Sequence, residues 1–240
     1  MKKLIKNIGR FVGIEIGRYS PITSSNAKLE RLISACHIDL VIDVGANKGQ
    51  FALEIRERGY RGKIFSVEPL SDAYDLLLRQ AEDDHDWVIA PRAAVGSEDG
   101  EIEINISGNS VSSSILPMLK SHSDAAPKSN YVAMEYTPLY RLDTLSKDCC
   151  EAAESVFLKI DTQGYEKQVL EGAVDTLQKV KIMQIELSLV PLYDGQVLMC
   201  DMINQLQKLG FEVFNLAPFF FDPESGKLLQ VDGLFARKFQ

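Results

Sequence analysis

The most informative segment of this chain is Val41-Ile-Asp-Val-Gly-Ala-Asn-Lys-Gly49. A short apolar run ends in an acid, and two glycines follow four residues apart. Phe51, Ala52 and Ile55 then begin a helical spacing of apolar residues. The pattern predicts a buried strand, a tight turn and the start of a helix. Free N–H groups at such a helix start favour a negatively charged group of a ligand.

The loop between this strand and this helix predicts a ligand site made largely of backbone. Gly45 can take dihedral angles that a side chain would forbid, and Gly49 would let a ligand approach the backbone. Ala46 and Asn47 complete the predicted cofactor-binding loop. A dinucleotide-binding fingerprint begins in a similar way, so two later segments decide between the ligands.

Two further apolar strands end in acids. Residues 63–67 are followed by Glu68, within the distance of about 20 residues at which a ribose-binding carboxylate follows a glycine-rich turn. Residues 156–160 are followed by Asp161, which should lie at the same edge of the sheet. A phosphate-rich dinucleotide would gain little from so many carboxylates. S-adenosylmethionine has a cationic sulfonium and an adenosine without phosphates, so these acids predict it as the cofactor.

These segments resemble the FkbM family of S-adenosylmethionine-dependent methyltransferases. The similarity extends over residues 38–236 and is carried by Asp43–Gly49, Phe65–Pro69, Tyr140–Leu145, Leu158–Glu166, Val169–Ala173 and Ile185–Glu186. Asn47 stands where the commoner methyltransferase loop often has a glycine, a variant that is usual in this family. The resemblance implies an α/β, class I methyltransferase (Rossmann-like) fold. Such a fold has a mostly parallel seven-stranded sheet, a terminal antiparallel hairpin and helices on both faces.

The periodicity along the chain predicts the same alternation of strands and helices from residue 40 onward. The predicted strands are 40–44, 63–67, 86–90, 156–160 and 181–187, and the predicted helices are 48–58, 71–81, 165–178 and 196–209. Residues 211–216 and 231–236 predict the final strand pair. Residues 101–106 and 131–139 are also expected to be strands. Between them, 107–130 is rich in Ser, Gly, Asn and Pro, and we predict a mobile flap over the substrate side.

Composition bounds the class of protein. With 240 residues, of which 45% are apolar, the chain fits one α/β domain. Its net charge of −8 argues against a nucleic-acid partner. The four cysteines and three histidines have no metal-ligand spacing, so we predict no structural zinc, and no metal-binding residue is assigned. No apolar run is long enough to span a bilayer and there is no signal-peptide core, which predicts a cytoplasmic protein.

Residues 1–24 differ from the methyltransferase domain predicted for 25–240. Apolar residues between Leu4 and Val12 share one helical face, with basic residues around them. Such an amphipathic helix either packs on the domain or on a partner subunit of a homo-oligomer, or lies at the inner face of a membrane. Pro21 and the Ser/Thr residues after it indicate a linker.

The predicted catalytic residues follow the ends of strands. Asp161 lies where open α/β sheets place their reactive groups, and it would orient the acceptor hydroxyl or take its proton. Lys159, two residues before Asp161, points to the same side of the strand as that aspartate. A lysine inside an apolar strand needs a carboxylate partner. Glu166 either acts directly or places a charge at a helix N-terminus. Glu186 either faces the acceptor or forms a salt bridge with Lys159 or Arg141.

The predicted cofactor contacts lie at the other strand ends. Asp43 would organise the loop and face the amino group of the cofactor, directly or through water. Glu68, with Pro69 after it, would accept hydrogen bonds from the two ribose hydroxyls. Ala93, Ala94 and Val95 would touch the adenine. We expect only backbone and apolar groups to contact this base. Asp161 would also lie near the transferred methyl.

These residues predict a methyltransferase that uses S-adenosylmethionine. The family resemblance implies O-methylation of polyketide and sugar hydroxyls, so we expect a small-molecule or glycan acceptor. N-methylation of an amine on a small molecule or peptide is the alternative reaction. A non-catalytic cofactor-binding subunit is the alternative class, and Asp161, Lys159 and Glu166 argue against it. Asp161, Glu166 and Glu186 could hold a divalent cation, but the resemblance does not require one.

Overall fold

The computed structural model of this protein describes residues 11, 13, 14 and 19–237. Most of the predicted N-terminal amphipathic helix therefore lies outside the described residues. Within the described ranges, every helix is too short or too polar to cross a membrane.

The elements alternate along the chain, as the periodicity predicts. The helices are α1 (Ser25–Ala35), α2 (Gln50–Glu57), α3 (Ser71–Ala81), α4 (Lys120–Ala125), α5 (Leu142–Leu145), α6 (Lys147–Ala152), α7 (Glu166–Glu171) and α8 (Met199–Lys208). The strands are β1 (Leu40–Val44), β2 (Lys63–Val67), β3 (Trp87–Ile89), β4 (Ala94–Gly96), β5 (Gly100–Ser107), β6 (Tyr131–Arg141), β7 (Val156–Ile160), β8 (Val180–Ser188), β9 (Phe211–Phe221) and β10 (Leu228–Arg237).

The main sheet has seven strands in the order β3-β2-β1-β7-β8-β10-β9. Strands β3, β2, β1, β7 and β8 run parallel to one another, and β10 is antiparallel to both β8 and β9. The mostly parallel seven-stranded sheet with a terminal antiparallel hairpin is thus confirmed. Because the parallel strands end at one edge, the acids that follow β2 and β7 share that edge, as the sequence predicts.

Helices cover both faces of this sheet, because alternate residues of each strand point to opposite sides. On one face Val41 and Phe157 pack with apolar residues of α1, α2 and α3. On the other face Ile42 and Leu158 pack with α5, α6, α7 and α8. Both faces of β1 and β7 are therefore buried, which explains their continuous apolar runs.

A second, three-stranded sheet has the order β4-β6-β5 and lies beside the carboxyl edge. The predicted strands at 101–106 and 131–139 are its antiparallel pair. The segment 107–130 contains α4 and is tied down by bridges from Ser114 to Asn105 and from Met118 to Tyr193. Its mobility stays a prediction.

The helix expected at 165–178 ends early, at Glu171. Gly172 follows, and a Cβ there would lie 1.9 Å from the carbonyl oxygen of Gly96 in β4. At this position the chain approaches β4 so closely that only a residue without a Cβ fits. A 3₁₀ turn, Thr176–Gln178, completes the segment instead.

Gly45 lets two loops meet backbone to backbone. Its φ is +78°, and a Cβ on it would lie 2.0 Å from the carbonyl oxygen of Asp161. The N–H of Asp161 in turn donates to the carbonyl of Val44 at 3.0 Å. The β1–α2 loop and the β7–α7 loop are therefore fixed to each other at the carboxyl edge.

Gly49 has a different role from the one that the sequence predicts. Its φ is +85°, and a Cβ there would lie 2.6 Å from the ring of Trp87 in β3. The indole N–H of Trp87 donates to the hydroxyl of Ser66 in β2 at 2.9 Å. Gly49 thus makes room for the tryptophan, a role that the sequence does not predict. Its contact with a cofactor stays a prediction.

Candidate active site

A cavity of about 300 Å³ opens at the carboxyl edge of the main sheet. Ser110, Val111, Ser113 and Ile115 of the segment after β5 form its outer wall. Eight of the residues predicted from the sequence line it, namely Gly45, Ala46, Asn47, Glu68, Pro69, Ala94, Lys159 and Asp161. The structure thus brings most of the predicted site together. Asp43, Gly49, Glu166 and Glu186 lie outside the cavity wall.

Glu68 is buried at one end of the cavity, with only 3% of its surface exposed. One carboxylate oxygen accepts from the N–H of Asn47 at 2.7 Å, and the other accepts from the N–H of Leu70 at 2.9 Å. Each oxygen keeps capacity for a further hydrogen bond. Burial raises the pKa of Glu68 to about 7, although the two backbone N–H groups act in the opposite direction.

Lys159 lies between two carboxylates, which confirms the prediction that it pairs with a carboxylate of the site. Its Nζ is 3.1 Å from Oδ1 of Asp43 and 3.5 Å from Oδ2 of Asp161. The ammonium also lies 5.4 Å from the ring centroid of Phe51. Burial lowers the pKa of Lys159, but the two acids outweigh burial and hold the pKa above its usual range. The lysine therefore stays charged beside Asp161.

Asp43 supports this lysine from behind the cavity wall. Its side chain is fully buried, and its Oδ2 has no hydrogen-bond partner in the structure. Burial raises the pKa of Asp43, and Lys159 opposes that change. The predicted contact between Asp43 and the amino group of the cofactor stays a prediction.

Gln163 joins Asp161 to Glu186. Its Nε2 donates to Oδ1 of Asp161 at 2.9 Å and lies 3.1 Å from each carboxylate oxygen of Glu186. Its Oε1 accepts from the hydroxyl of Tyr193 at 2.8 Å. Asp161 is the exposed member of this group, with 39% of its side chain accessible, so it is the carboxylate that a ligand can reach.

Glu186 is held by amides and not by a cation. The Nε2 of Gln230 donates to its Oε2 at 2.6 Å, in addition to the contacts from Gln163. The predicted salt bridge with Lys159 or Arg141 is wrong, because both cations pair with aspartates instead. Burial, followed by repulsion from Asp161, raises the pKa of Glu186 well above its usual value.

Glu166 shapes the turn that carries Asp161. As the first residue of α7, it accepts from the N–H of Thr162 at 3.1 Å and from the N–H of Gly164 at 3.0 Å. Burial raises its pKa to about 7. These contacts fit the alternative in which Glu166 acts at a helix N-terminus, and its direct role in catalysis stays a prediction.

Sequence reasoning missed the far end of the cavity, which is lined by Glu54 of α2, Gln184 of β8 and Asp232 of β10. Asp232 pairs with Glu186 in the antiparallel register. Burial, followed by repulsion from Asp161, raises the pKa of Asp232 to about 6. A polar residue inside each of two apolar strands was the available signal, but only strand pairing shows that both side chains reach the site.

In the described part of the chain, no three His, Cys, Asp or Glu side chains are grouped so that they could hold a metal ion. Asp43, Glu68, Asp161, Glu166 and Glu186 are instead held by Lys159, by Gln163 or by backbone N–H groups. Metal independence stays a prediction.

The family model of the methyltransferase FkbM domain matches residues 43–213. The chain belongs to the FkbM methyltransferase family. The match begins at Asp43 and includes the β1–α2 loop, Glu68 and Asp161. The family predicted from the sequence is thus confirmed. As a member of the FkbM family, the protein is a methyltransferase, and S-adenosylmethionine is its methyl donor.

Several solved structures resemble this FkbM protein at low sequence identity. A proposed RNA methyltransferase from Pyrococcus horikoshii is 12% identical, with a TM-score of 0.46 over 89% of this chain and 83% of the other. A proposed tRNA methyltransferase from Streptococcus pneumoniae, in complex with S-adenosyl-L-methionine, is 14% identical, with a TM-score of 0.44 over 88% and 74%. A precorrin-6y methyltransferase from Geobacter metallireducens is 12% identical, with a TM-score of 0.43 over 93% and 94%. No curated protein matches the sequence significantly.

Proposed function

We propose that the cavity holds S-adenosylmethionine with its ribose at Glu68 and its adenine against the apolar wall formed by Ala93, Ala94 and Val95. The donor set fits this cofactor. Glu68 has carboxylate capacity left for two hydroxyl donors, and the apolar wall offers no charge to an uncharged base. The exposed carboxylate of Asp161 favours a cation beside it.

The strand order supports a division of the cavity into a cofactor end and an acceptor end. Neighbouring strands lie about 4.8 Å apart, so β7 is roughly 10 Å from β2 and β10 is roughly 19 Å from β2. A cofactor anchored at Glu68 would present its methyl group near Asp161, two strands away. Gln184 and Asp232 lie one and two strands further and would face the acceptor.

S-adenosylmethionine supplies a methyl group that is activated by its positively charged sulfur. The chain must then orient the acceptor, exclude water and receive one proton. We infer that the acceptor is a hydroxyl of a glycan or of a small natural product. The observation that carries this proposal is the position of Asp161, exposed to the cavity and held by both Lys159 and Gln163. In this arrangement Asp161 accepts the hydroxyl proton as the new bond forms, and Lys159 stabilises its charge before the transfer.

N-methylation is the second candidate, and Asp232 favours it. This carboxylate lines the acceptor end, where it would bind an amine and take the proton that the nitrogen must lose before its lone pair attacks the methyl group. The alternative of a non-catalytic subunit finds less support, because Asp161 is both exposed and oriented. The acidic lining also disfavours a nucleic-acid acceptor, whose phosphates would be repelled.

Further predictions from the sequence concern cell location and partners. A cytoplasmic enzyme, whose N-terminal segment touches the inner face of a membrane or a second copy of the chain, stays part of the proposal. The described residues Phe11 and Ile22 are 91% and 87% exposed, so each leaves an apolar side chain for such a contact.

The test has two stages. Calorimetry should first detect binding of S-adenosylhomocysteine, and a screen of sugars, glycans and amines should then find an acceptor that yields S-adenosylhomocysteine. Asp161→Asn should lower turnover by about 10²–10⁴-fold, the usual contribution of a general base. Its affinity for S-adenosylhomocysteine should change little.

The matched control is Asp75→Asn, a substitution of an exposed aspartate on α3. Full activity of Asp161→Asn would exclude Asp161 as the proton acceptor. Failure of the wild-type protein to bind S-adenosylhomocysteine would refute the proposed site as a whole.

A further inference from the structure

Gln163 occupies an unusual position in the β7–α7 turn. Its φ is +54°, a left-handed conformation that is uncommon for a residue other than glycine. The hydroxyl of Ser114 donates to its carbonyl oxygen at 2.6 Å. The side chain is only 8% exposed and points back under the turn. Both its backbone and its side chain are thus fixed from outside the turn.

The contacts around Gln163 favour one orientation of its side-chain amide. Tyr193 is fully buried, and its hydroxyl donates to Oε1 of Gln163 at 2.8 Å. Burial raises the pKa of Tyr193, so the hydroxyl keeps its proton. The opposite end of the amide faces Asp161 and Glu186, and the carboxylate of Asp161, which is paired with Lys159, only accepts hydrogen bonds. A flipped amide would place its oxygen against the Asp161 carboxylate, and the Tyr193 hydroxyl would then have only the more distant carbonyl of Ser112, at 3.2 Å, as an acceptor.

This amide controls the direction of the Asp161 carboxylate. Oδ1 accepts from Gln163 at 2.9 Å, while Oδ2 faces Lys159 at 3.5 Å. Two contacts on two different oxygens fix the plane of the carboxylate. Without Gln163 only the longer contact to Lys159 would remain, and a side chain with 39% exposure would be free to rotate toward solvent.

We propose that Gln163 is a positioning residue whose amide, oriented by Tyr193, holds the carboxylate of Asp161 toward the methyl-transfer position. This inference rests on the proposed function, in which Asp161 faces the transferred methyl. Gln163 also lines the cavity beside Asp161, but the contribution proposed for it is made through that carboxylate. Its effect is transmitted entirely through Asp161.

The test compares two adenosyl ligands and needs no acceptor. Sinefungin carries a protonated amine where S-adenosylmethionine carries the transferred methyl, and S-adenosylhomocysteine carries nothing there. A correctly held Asp161 should therefore make wild-type protein bind sinefungin more tightly than S-adenosylhomocysteine in calorimetry. Gln163→Met keeps the length of the side chain and removes its donors. It should lower this preference about tenfold, within the range expected for a charge-assisted hydrogen bond, and leave the affinity for S-adenosylhomocysteine unchanged.

Two matched controls separate positioning from stability. Gln178→Met changes a glutamine of the Thr176–Gln178 turn, outside the cavity wall, and should keep the wild-type preference. Tyr193→Phe removes only the orienting hydroxyl and should lower the preference in the same direction as Gln163→Met. Tyr131→Phe removes a hydroxyl that donates to the carbonyl of Leu116, and it should have no such effect.

Each outcome supports or overturns the positioning role of Gln163. An unchanged preference in folded Gln163→Met, or an equal loss of affinity for both ligands, would overturn the positioning role. If Gln163→Met does not fold, Tyr193→Phe decides by the same criterion. If wild-type protein binds neither ligand, the proposed cofactor site fails and the inference fails with it.

Discussion

Glu68 combines two properties that rarely occur together in a binding residue. It is buried before the ligand arrives, and its two oxygens are already held by the backbone of Asn47 and Leu70. The backbone contacts fix the rotamer, so binding costs little side-chain entropy. Burial also brings its pKa to about 7, where the carboxylate and the neutral acid are present together near neutral pH.

Cofactor affinity should therefore depend on pH. Glu68 is mostly ionised above its pKa of about 7 and mostly neutral below it. Since the charged form accepts the stronger hydrogen bonds from ribose hydroxyls, the affinity for S-adenosylhomocysteine should fall as the pH is lowered from 8 to 6. Asp43 and Lys159 also act on Glu68 and contribute to the midpoint. Calorimetry across this range measures the effect.

Glu68→Gln should bind more weakly and lose most of this pH dependence. Glu166→Gln is the matched control, because Glu166 has the same raised pKa of about 7 but lies outside the cavity wall. It should keep the wild-type profile. A flat profile in wild-type protein would remove Glu68 from the ribose site.

At the level of elements, the site depends on two loops that are locked together. The β1–α2 loop contributes Gly45, Ala46 and Asn47, and the β7–α7 loop contributes Asp161 and its neighbours. Their contact leaves no room for a Cβ at Gly45. The distance between the cofactor loop and the predicted proton acceptor is thus set by backbone, which is stiffer than a side-chain contact.

Gly45→Ala should test this lock. The added Cβ would have to displace the carbonyl of Asp161, and we expect a loss of stability of about 4 kcal/mol or more, which single substitutions seldom reach. Gly59→Ala is the matched control, because Gly59 has a φ of +94° and nothing within 4 Å of the Cβ position. That variant should lose only about 1–2 kcal/mol, the cost of a left-handed alanine.

Urea unfolding of both variants measures the difference between them. Equal losses of stability in the two variants would mean that the strain of a left-handed alanine alone explains the effect of Gly45→Ala. A well-folded Gly45→Ala protein with normal affinity for S-adenosylhomocysteine would contradict the proposed lock.

The elements that sequence could predict are those with a strong local pattern. Strands β1, β2 and β7 are apolar runs buried on both faces, and the acids after them point to the ligand edge without further information. Strand β4 has only three residues, and its pairing with β6 is invisible to any periodicity. Gln184 and Asp232 could not be predicted as site residues, because strand register, and not local sequence, brings them to the cavity.

At the scale of the whole molecule, the protein buries several carboxyl groups whose pKa is raised. The pKa of Glu68 and that of Glu166 are each about 7 against ordinary values of 4.5, and that of Asp232 is about 6 against 3.8. A raised acid pKa means that the folded state holds a proton that the unfolded state has already released. The stability from such a group is complete below the ordinary value and is lost as the pH rises through the raised one.

The free energy of unfolding of the ligand-free protein should therefore fall between pH 5 and pH 8. For Glu166, a change from 4.5 to about 7 corresponds to roughly 3 kcal/mol. Urea titrations at several pH values measure the slope, and Glu166→Gln should flatten it. The partly exposed Asp84 and Asp222 have lowered pKa values and act only in more acidic solution. Burial lowers the pKa of His122 to about 4, which partly offsets the fall at the acidic end of this window. Stability that rises through this window would contradict the buried acids.

The tight contact at Gly49 has an optical consequence. Trp87 is the single tryptophan of the chain, and its indole packs against the backbone from which α2 starts. Its ultraviolet emission therefore comes from one chromophore, without contributions from other indoles to subtract. A ligand that enters the cavity and shifts the neighbouring loop would change the surroundings of that indole. The protein thus carries an intrinsic fluorescent reporter at the base of its own ligand loop, and no label has to be attached.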